Sequence, residues 1–167
     1  GSYDLVAEDS DNTSLPTPTA SQYSDPSYEV LPRYWVKKEE EAEEGEKKSN
    51  LNLRDWYVSF RDITNSTNER TVISAVISKV LTGHNQPFFT FNGKAGHAAP
   101  LLIANLGSLA FDYLARQKVA ATHLTFFIFK QLPIVSPALY SADLSAQIAD
   151  RVLRLVYTSE SLRAFAE

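Results

Sequence analysis

At 167 residues the chain has about one domain's length and can bury one core if most of it folds. It has no cysteine, which excludes a disulfide framework and a thiolate metal site, and no apolar run approaches the ~18 residues of a membrane span, so a soluble, cytoplasmic protein is expected. The formal charge of −4 is unevenly placed: residues 1–50 hold 5 Lys/Arg against 12 Asp/Glu and residues 51–167 hold 11 against 8, so the part that reads as folded is mildly basic and acidity does not exclude a nucleic-acid partner.

With no methionine in the chain, residue 1 is not a translation start; Gly1-Ser2 reads as a cloning scar, and the native protein is expected to begin further upstream. Residues 1–31 form an expected irregular arm, because Tyr3 to Ser27 is rich in Ser, Thr, Asp and Pro and has few large aliphatics to offset the entropy of ordering. Tyr23 and Tyr28 are its candidate local anchors. Residues 32–167 read as a single domain. Arg33-Tyr34-Trp35-Val36 is a short strand candidate after Pro32. An acidic, solvated loop or short exposed helix follows at residues 37–50, where the glutamates of 39–41 and 43–44 repel one another.

From Asp55 to Ile63 the residues alternate, with Trp56, Val58, Phe60 and Asp62 on one face and Tyr57, Ser59, Arg61 and Ile63 on the other, which predicts a strand with one mostly apolar face. Thr64 to Asn68 is dense in turn formers, and Val72, Ile73, Val76 and Ile77 resume a β-branched pattern between Arg70 and Val80. A further strand pair ends at Phe88-Phe89-Thr90-Phe91, before the Asn92-Gly93 turn. Pro100 suits a first helical turn, and Leu102, Leu106, Leu109 and Tyr113 predict one core helix running to about Gln117. Leu124 to Phe129, with three phenylalanines, reads as a buried strand ended by Leu132-Pro133. Ser141 or Asp143 caps a second helix with Leu144, Ile148, Val152 and Leu155 inward and Asp150 one turn before Arg154. Ser161 to Glu167 adds a last helical turn. The predicted class is α+β: a small mixed or antiparallel sheet packed by a central helix, with a C-terminal helix and an irregular N-terminal arm.

No complete catalytic constellation is legible. His84, His97 and His123 are too widely spaced for a His-Glu-x-x-His site, Gly107-Ser108 is no nucleophile elbow, and Gly93 and Gly96 are too sparse for a dinucleotide loop. Glu46-Lys47-Lys48 matches half of a nuclease motif, but it lies in the charge run, where nothing holds a metal rigidly.

Three stretches together resemble the C-terminal, target-recognition part of bacterial type II restriction-modification DNA adenine methyltransferases. They are Trp56 to Ile73; Leu101 to Lys118, with Asn105-Leu106-Gly107-Ser108 and Phe111-Asp112-Tyr113-Leu114; and Thr122 to Phe127 running into Gln131-Leu132-Pro133-Ile134. Arg33 to Val36 and Val156-Tyr157-Thr158 fit the same family, so the resemblance spans residues 32–167. The chain departs from the family at Gly107, where Asn is usual, and at Ala120-Ala121, where a Gly-Gly pair is usual and the backbone here is stiffer. The resemblance implies a parent enzyme that uses S-adenosylmethionine in an upstream domain carrying an Asn/Asp-Pro-Pro-aromatic motif. This sequence has no Pro-Pro pair, so the fragment is expected to hold no cofactor and no catalytic residue. Its implied partners are double-stranded DNA, the upstream methyltransferase domain of the same chain, and restriction or defence-system subunits, with no membrane.

A base-modifying enzyme sees one flipped nucleotide in its pocket, so the surrounding sequence is read by another surface. By side-chain type, Arg61, Asn65, Asn68 and Arg70 are the candidate base contacts, and Lys94, Arg116, Lys118, His123 and Lys130 the candidate phosphate contacts. A plain use stands beside each: Asn65 and Asn68 shape a turn, Arg61 and Arg70 pair with Asp62 or Glu69, and the lysines are merely solvated. The Phe126-Phe127-Phe129 cluster reads as core rather than as a stacking platform. The competing reading is a protein-interaction or structural module docking the methylase to partner subunits, suggested by the acidic run at 39–46, the final helix and the modest basic excess. An independent small enzyme has no constellation to support it.

Overall fold

The computed structural model describes residues 17–29, 54–80, 82–91 and 93–167. The strand candidate Arg33 to Val36 and the acidic stretch 37–50 lie outside them. The described residues form an α+β fold built on an antiparallel sheet ordered β2-β1-β3, where β1 is Trp56–Phe60, β2 is Ser74–Ser78 and β3 is Phe88–Phe89. β1 is central. It pairs with β2 from Trp56↔Ser78 to Phe60↔Ser74 and with β3 at Val58↔Phe89 and Ser59↔Phe88.

Its central place explains why all of β1 is buried and not one face alone. Trp56, Val58 and Phe60 enter the main core with Leu106, Phe111, Leu124 and Phe129, while on the other face Tyr57 stacks on Phe88 at 4.3 Å. Ser59, also buried, donates its hydroxyl to the Pro87 carbonyl at 3.0 Å, so no polar atom is stranded there. The predicted strand pair before Phe91 is reduced to the two residues of β3, and backbone pairing continues beyond it through Phe60 N–H to the Pro87 carbonyl at 3.1 Å and Asp62 N–H to the Asn85 carbonyl at 2.9 Å.

The single helix predicted from Pro100 to Gln117 is two. The short helix α2 (Ala99–Gly107) and α3 (Leu109–Lys118) meet at Ser108 with a bend of 66°. Ser108 has extended backbone, so it ends α2, and its Oγ accepts from Phe111 N–H at 3.2 Å, which starts α3. The bend rotates the apolar pattern: Leu109, predicted inward, is 77% exposed and Tyr113 is exposed as well, while Phe111, Asp112 and Ala115 take the inner positions.

The predicted strand Leu124 to Phe129 is also corrected. Thr125 Oγ1 accepts from Ile128 N–H and caps a single turn, α4 (Phe126–Phe129). Extended pairing survives just before it, where Ile63 bridges His123, Leu124 N–H donates to the Asp62 carbonyl at 2.7 Å and Thr64 N–H to Thr122 at 2.9 Å. Within the turn only Phe129 is buried; Phe127 is 78% exposed, so the three rings are not one core cluster.

Helix α5 (Ala142–Val156) starts at the Ser141 cap, carries the Asp150–Arg154 pair at 3.0 Å and packs on α2. It touches the core by a narrow stripe centred on buried Val152, which leaves Leu144 and Leu155 exposed where they were predicted inward. A 3₁₀ turn, Glu160–Leu162, leads to α6 (Arg163–Ala166), whose Phe165 meets Trp56 edge-on at 4.9 Å. In the N-terminal arm Thr19 and Gln22 form a capping box on α1 (Ala20–Ser24), and Glu160 N–H donates to the Pro26 carbonyl at 2.9 Å, tying the arm to the last turns. Tyr23 is exposed and does not anchor the arm; Tyr28 is half-buried. Among the described residues no single helix is long and apolar enough to cross a membrane.

Candidate nucleic-acid interface

Two polar stretches far apart in sequence meet here. The Ile63–His123 bridge and the bond from Thr64 N–H to the Thr122 carbonyl lay the start of the Thr64–Thr71 loop beside His123 and the turn that precedes α4. Lys118 Nζ makes a 3.5 Å contact with Gln131 Oε1, just past α4.

The loop is closed from inside. Thr64 Oγ1 donates to the Thr71 carbonyl at 2.6 Å, and both threonines are buried. Asp112, buried on α3, accepts from the N–H groups of Thr71 and Val72 through one carboxylate oxygen, each at 2.8 Å, and from Arg116 through the other at 3.0 Å. Arg70 Nε lies 3.6 Å from the same carboxylate. Burial opposes ionisation of Asp112, but the Val72 N–H, Arg116, the Arg70 charge and the Thr71 N–H together outweigh it and hold the carboxyl below its ordinary range.

Each predicted contact residue has a definite place. Arg116 donates to the carbonyls of Ser66 and Glu69 at 2.8 Å besides Asp112, so its guanidinium serves the loop. Arg70 donates to the Gly107 carbonyl at 2.6 Å and likewise ties the loop to the α2–α3 break, with Asp112 as its partner in place of the anticipated Asp62 or Glu69. Asn65 Oδ1 accepts from Thr67 N–H and Oγ1, both at 3.0 Å, which makes it a turn former, yet its amide nitrogen donates to no described residue. Asn68 Nδ2 makes a long 3.4 Å contact to Thr64 Oγ1. Arg61 is exposed and uses Nε on the Ile63 carbonyl at 2.6 Å, leaving its terminal nitrogens without a described partner. His123 Nδ1 lies 2.8 Å from Asp62 Oδ2, and Lys130 is exposed. Lys94 falls in the 3₁₀ turn Gly93–Ala98, with its side chain outside the described residues.

The sequence reading missed Asp112, the hub of the network. Its one local signal is the i, i+4 spacing to Arg116; the bonds to Thr71 and Val72 cross about forty positions and leave no local trace. The departure at Gly107 is sterically neutral, since a side chain there would meet nothing within 4 Å. The Ala120-Ala121 pair lies in an exposed turn. Among the described residues no cluster of three or more His, Asp or Glu side chains is placed to hold a metal ion. The chain matches no protein-family model, and no curated protein and no solved structure is significantly similar to it.

Proposed function

We propose that this segment recognises a DNA target on behalf of a restriction-modification adenine methyltransferase whose S-adenosylmethionine site and catalytic residues lie in an upstream domain. The supporting observation is the internally braced Thr64–Thr71 loop, whose start lies beside His123. Base reading needs donors and acceptors held in fixed positions, and phosphate contacts need cations flanking them. In this reading Arg61, Asn65 and Asn68 face base edges with the hydrogen-bonding atoms that the loop leaves open. Lys118, His123 and Lys130 set the register on phosphates, and Arg70 and Arg116 act as braces behind them. A cytoplasmic setting and defence-system partners belong to the same proposal.

Selection of bound sites from a random duplex pool tests it. Replacing Asn65 and Asn68 with Ala is expected to relax preference at one or two positions, by about 1–3 kcal/mol each, while affinity for unrelated duplexes is kept. An unchanged selected site in both variants would remove the loop from the interface.

A second reading, docking to partner subunits, draws on a different feature. Leu114, Ile134, Val135 and Leu139 are exposed around an apolar cleft of about 420 Å³ beside Phe111, and an apolar patch of that kind suits a protein partner. Loss of DNA binding on charge removal separates the two, because an apolar contact is indifferent to Lys118 and Lys130.

A further inference from the structure

We infer that Phe127 is a stacking residue of the nucleic-acid interface, placed to lie on a base face exposed where the DNA stack has opened. The inference deepens the DNA reading and rests on it. In the turn Phe126-Phe127-Ile128-Phe129 the side chains on either side of Phe127 are anchored. Phe129 is buried and stacks on Phe60 at 4.8 Å, Phe126 meets Phe60 edge-on at 5.4 Å, and Ile128 packs on the core. Phe127 itself is 78% exposed. Its base is therefore rigid while its ring stands in water, and covering it costs little ordering entropy.

A single exposed ring is ordinary on a protein surface; the charges around this one name its partner. Lys130 N–H donates to the Phe126 carbonyl at 3.0 Å, so the helical path continues through Lys130, which at i+3 shares a side of the turn with Phe127. Gln131 donates its amide nitrogen to the Phe127 carbonyl at 3.1 Å and takes Lys118 Nζ on its amide oxygen at 3.5 Å. Through that one amide Lys118 is held beside the same turn. Neither lysine pairs with a carboxylate among the described residues. A rigid ring between two such ammonium groups fits an anionic polymer that also offers flat apolar faces, and nucleic acid offers both, phosphates to the lysines and bases to the ring. A bilayer surface takes up a whole apolar helix face, more than one ring on one turn supplies. An intact duplex shows its grooves only base edges, so the ring needs an open step. An enzyme that flips its target base opens one, and an apolar side chain inserted between bases is a general way to hold a distorted duplex.

The test titrates the full chain with a short duplex, with the same duplex carrying one abasic position, and with vesicles of mixed phosphatidylserine and phosphatidylcholine. The abasic duplex, whose stack is open at one step, is expected to bind about tenfold more tightly than the intact one. Phe127→Ala, at an exposed position where the fold tolerates truncation, is expected to bring the abasic duplex down to the affinity of the intact one and to leave the intact one unchanged. Phe127→Trp is expected to keep the preference. Equal affinity of the wild-type chain for the two duplexes, or a preference that survives Phe127→Ala, would overturn the inference and leave the DNA reading standing. Absence of binding to either duplex sinks both. Vesicle binding, or self-association in sedimentation, that is lost on Phe127→Ala would assign the ring to a lipid surface or to a second copy and overturn the inference as well.

Discussion

A single carboxylate, Asp112, stands in for the strand that the Thr71–Val72 backbone lacks as a partner. It accepts from both N–H groups and faces Arg116 with its other oxygen. Asp112→Asn keeps the first oxygen but turns an amide toward a guanidinium. The expected loss is about 1–3 kcal/mol in a urea melt, the range for disturbing hydrogen bonds to a charged, buried group. The pH dependence follows from the same bonds. The folded carboxyl titrates below its unfolded value of about 3.9, so its stabilisation is complete above that pH and is lost as pH falls through the folded pKa. The melting temperature should therefore drop as the solution is acidified below about pH 4, and Asp112→Asn should remove part of that drop. A variant that acid-unfolds just as the parent does would show that the carboxylate carries no such share. At this scale the turn role of Asn65 was legible, because Asn two residues before an N–H is a local pattern. The partners of Arg70 and Arg116 were not, since carbonyls at Gly107, Ser66 and Glu69 have no side-chain signature.

Among the elements, the capped ends were legible and the break was not. Ser141 before α5 and the Asp150–Arg154 pair are local signals, and both are present. The apolar spacing Leu102, Leu106, Leu109, Tyr113 ran through Ser108 and hid the bend. Yet Gly107-Ser108 held a cue, since a glycine at a helix end and a serine able to cap the next are both boundary residues. The phenylalanine run shows another limit: a short apolar stretch does not distinguish strand from helix, and here the Thr125 cap decides it. Ser108→Ala should cost about 1 kcal/mol as a lost N-cap, seen as a lower urea midpoint with unchanged slope. Leu106→Ala, at a fully buried position under the sheet, should cost about 2–5 kcal/mol, whereas Leu155→Ala, on the outer face of α5, should stay within about 0.5 kcal/mol. A large loss at Leu155 would mean that α5 has a covered outer face in solution.

For the molecule as a whole, charge and topology point the same way. The acidic residues concentrate in the first 50 positions, and the sheet and helices carry the basic excess. The fold class was legible because it depends on alternation and periodicity summed over long stretches, while the meeting of the Thr64–Thr71 loop with His123 depends on one isolated bridge. If Lys118 and Lys130 rest on phosphates, each displaces condensed counterions from the duplex. The direct measurement is a salt titration of duplex affinity. Two such contacts predict a slope of log K against log salt of about −2, and each of Lys118→Gln and Lys130→Gln should lower its magnitude by about 1. No complex with duplex DNA even at low salt, or a slope that the two substitutions leave unmoved, would contradict the account.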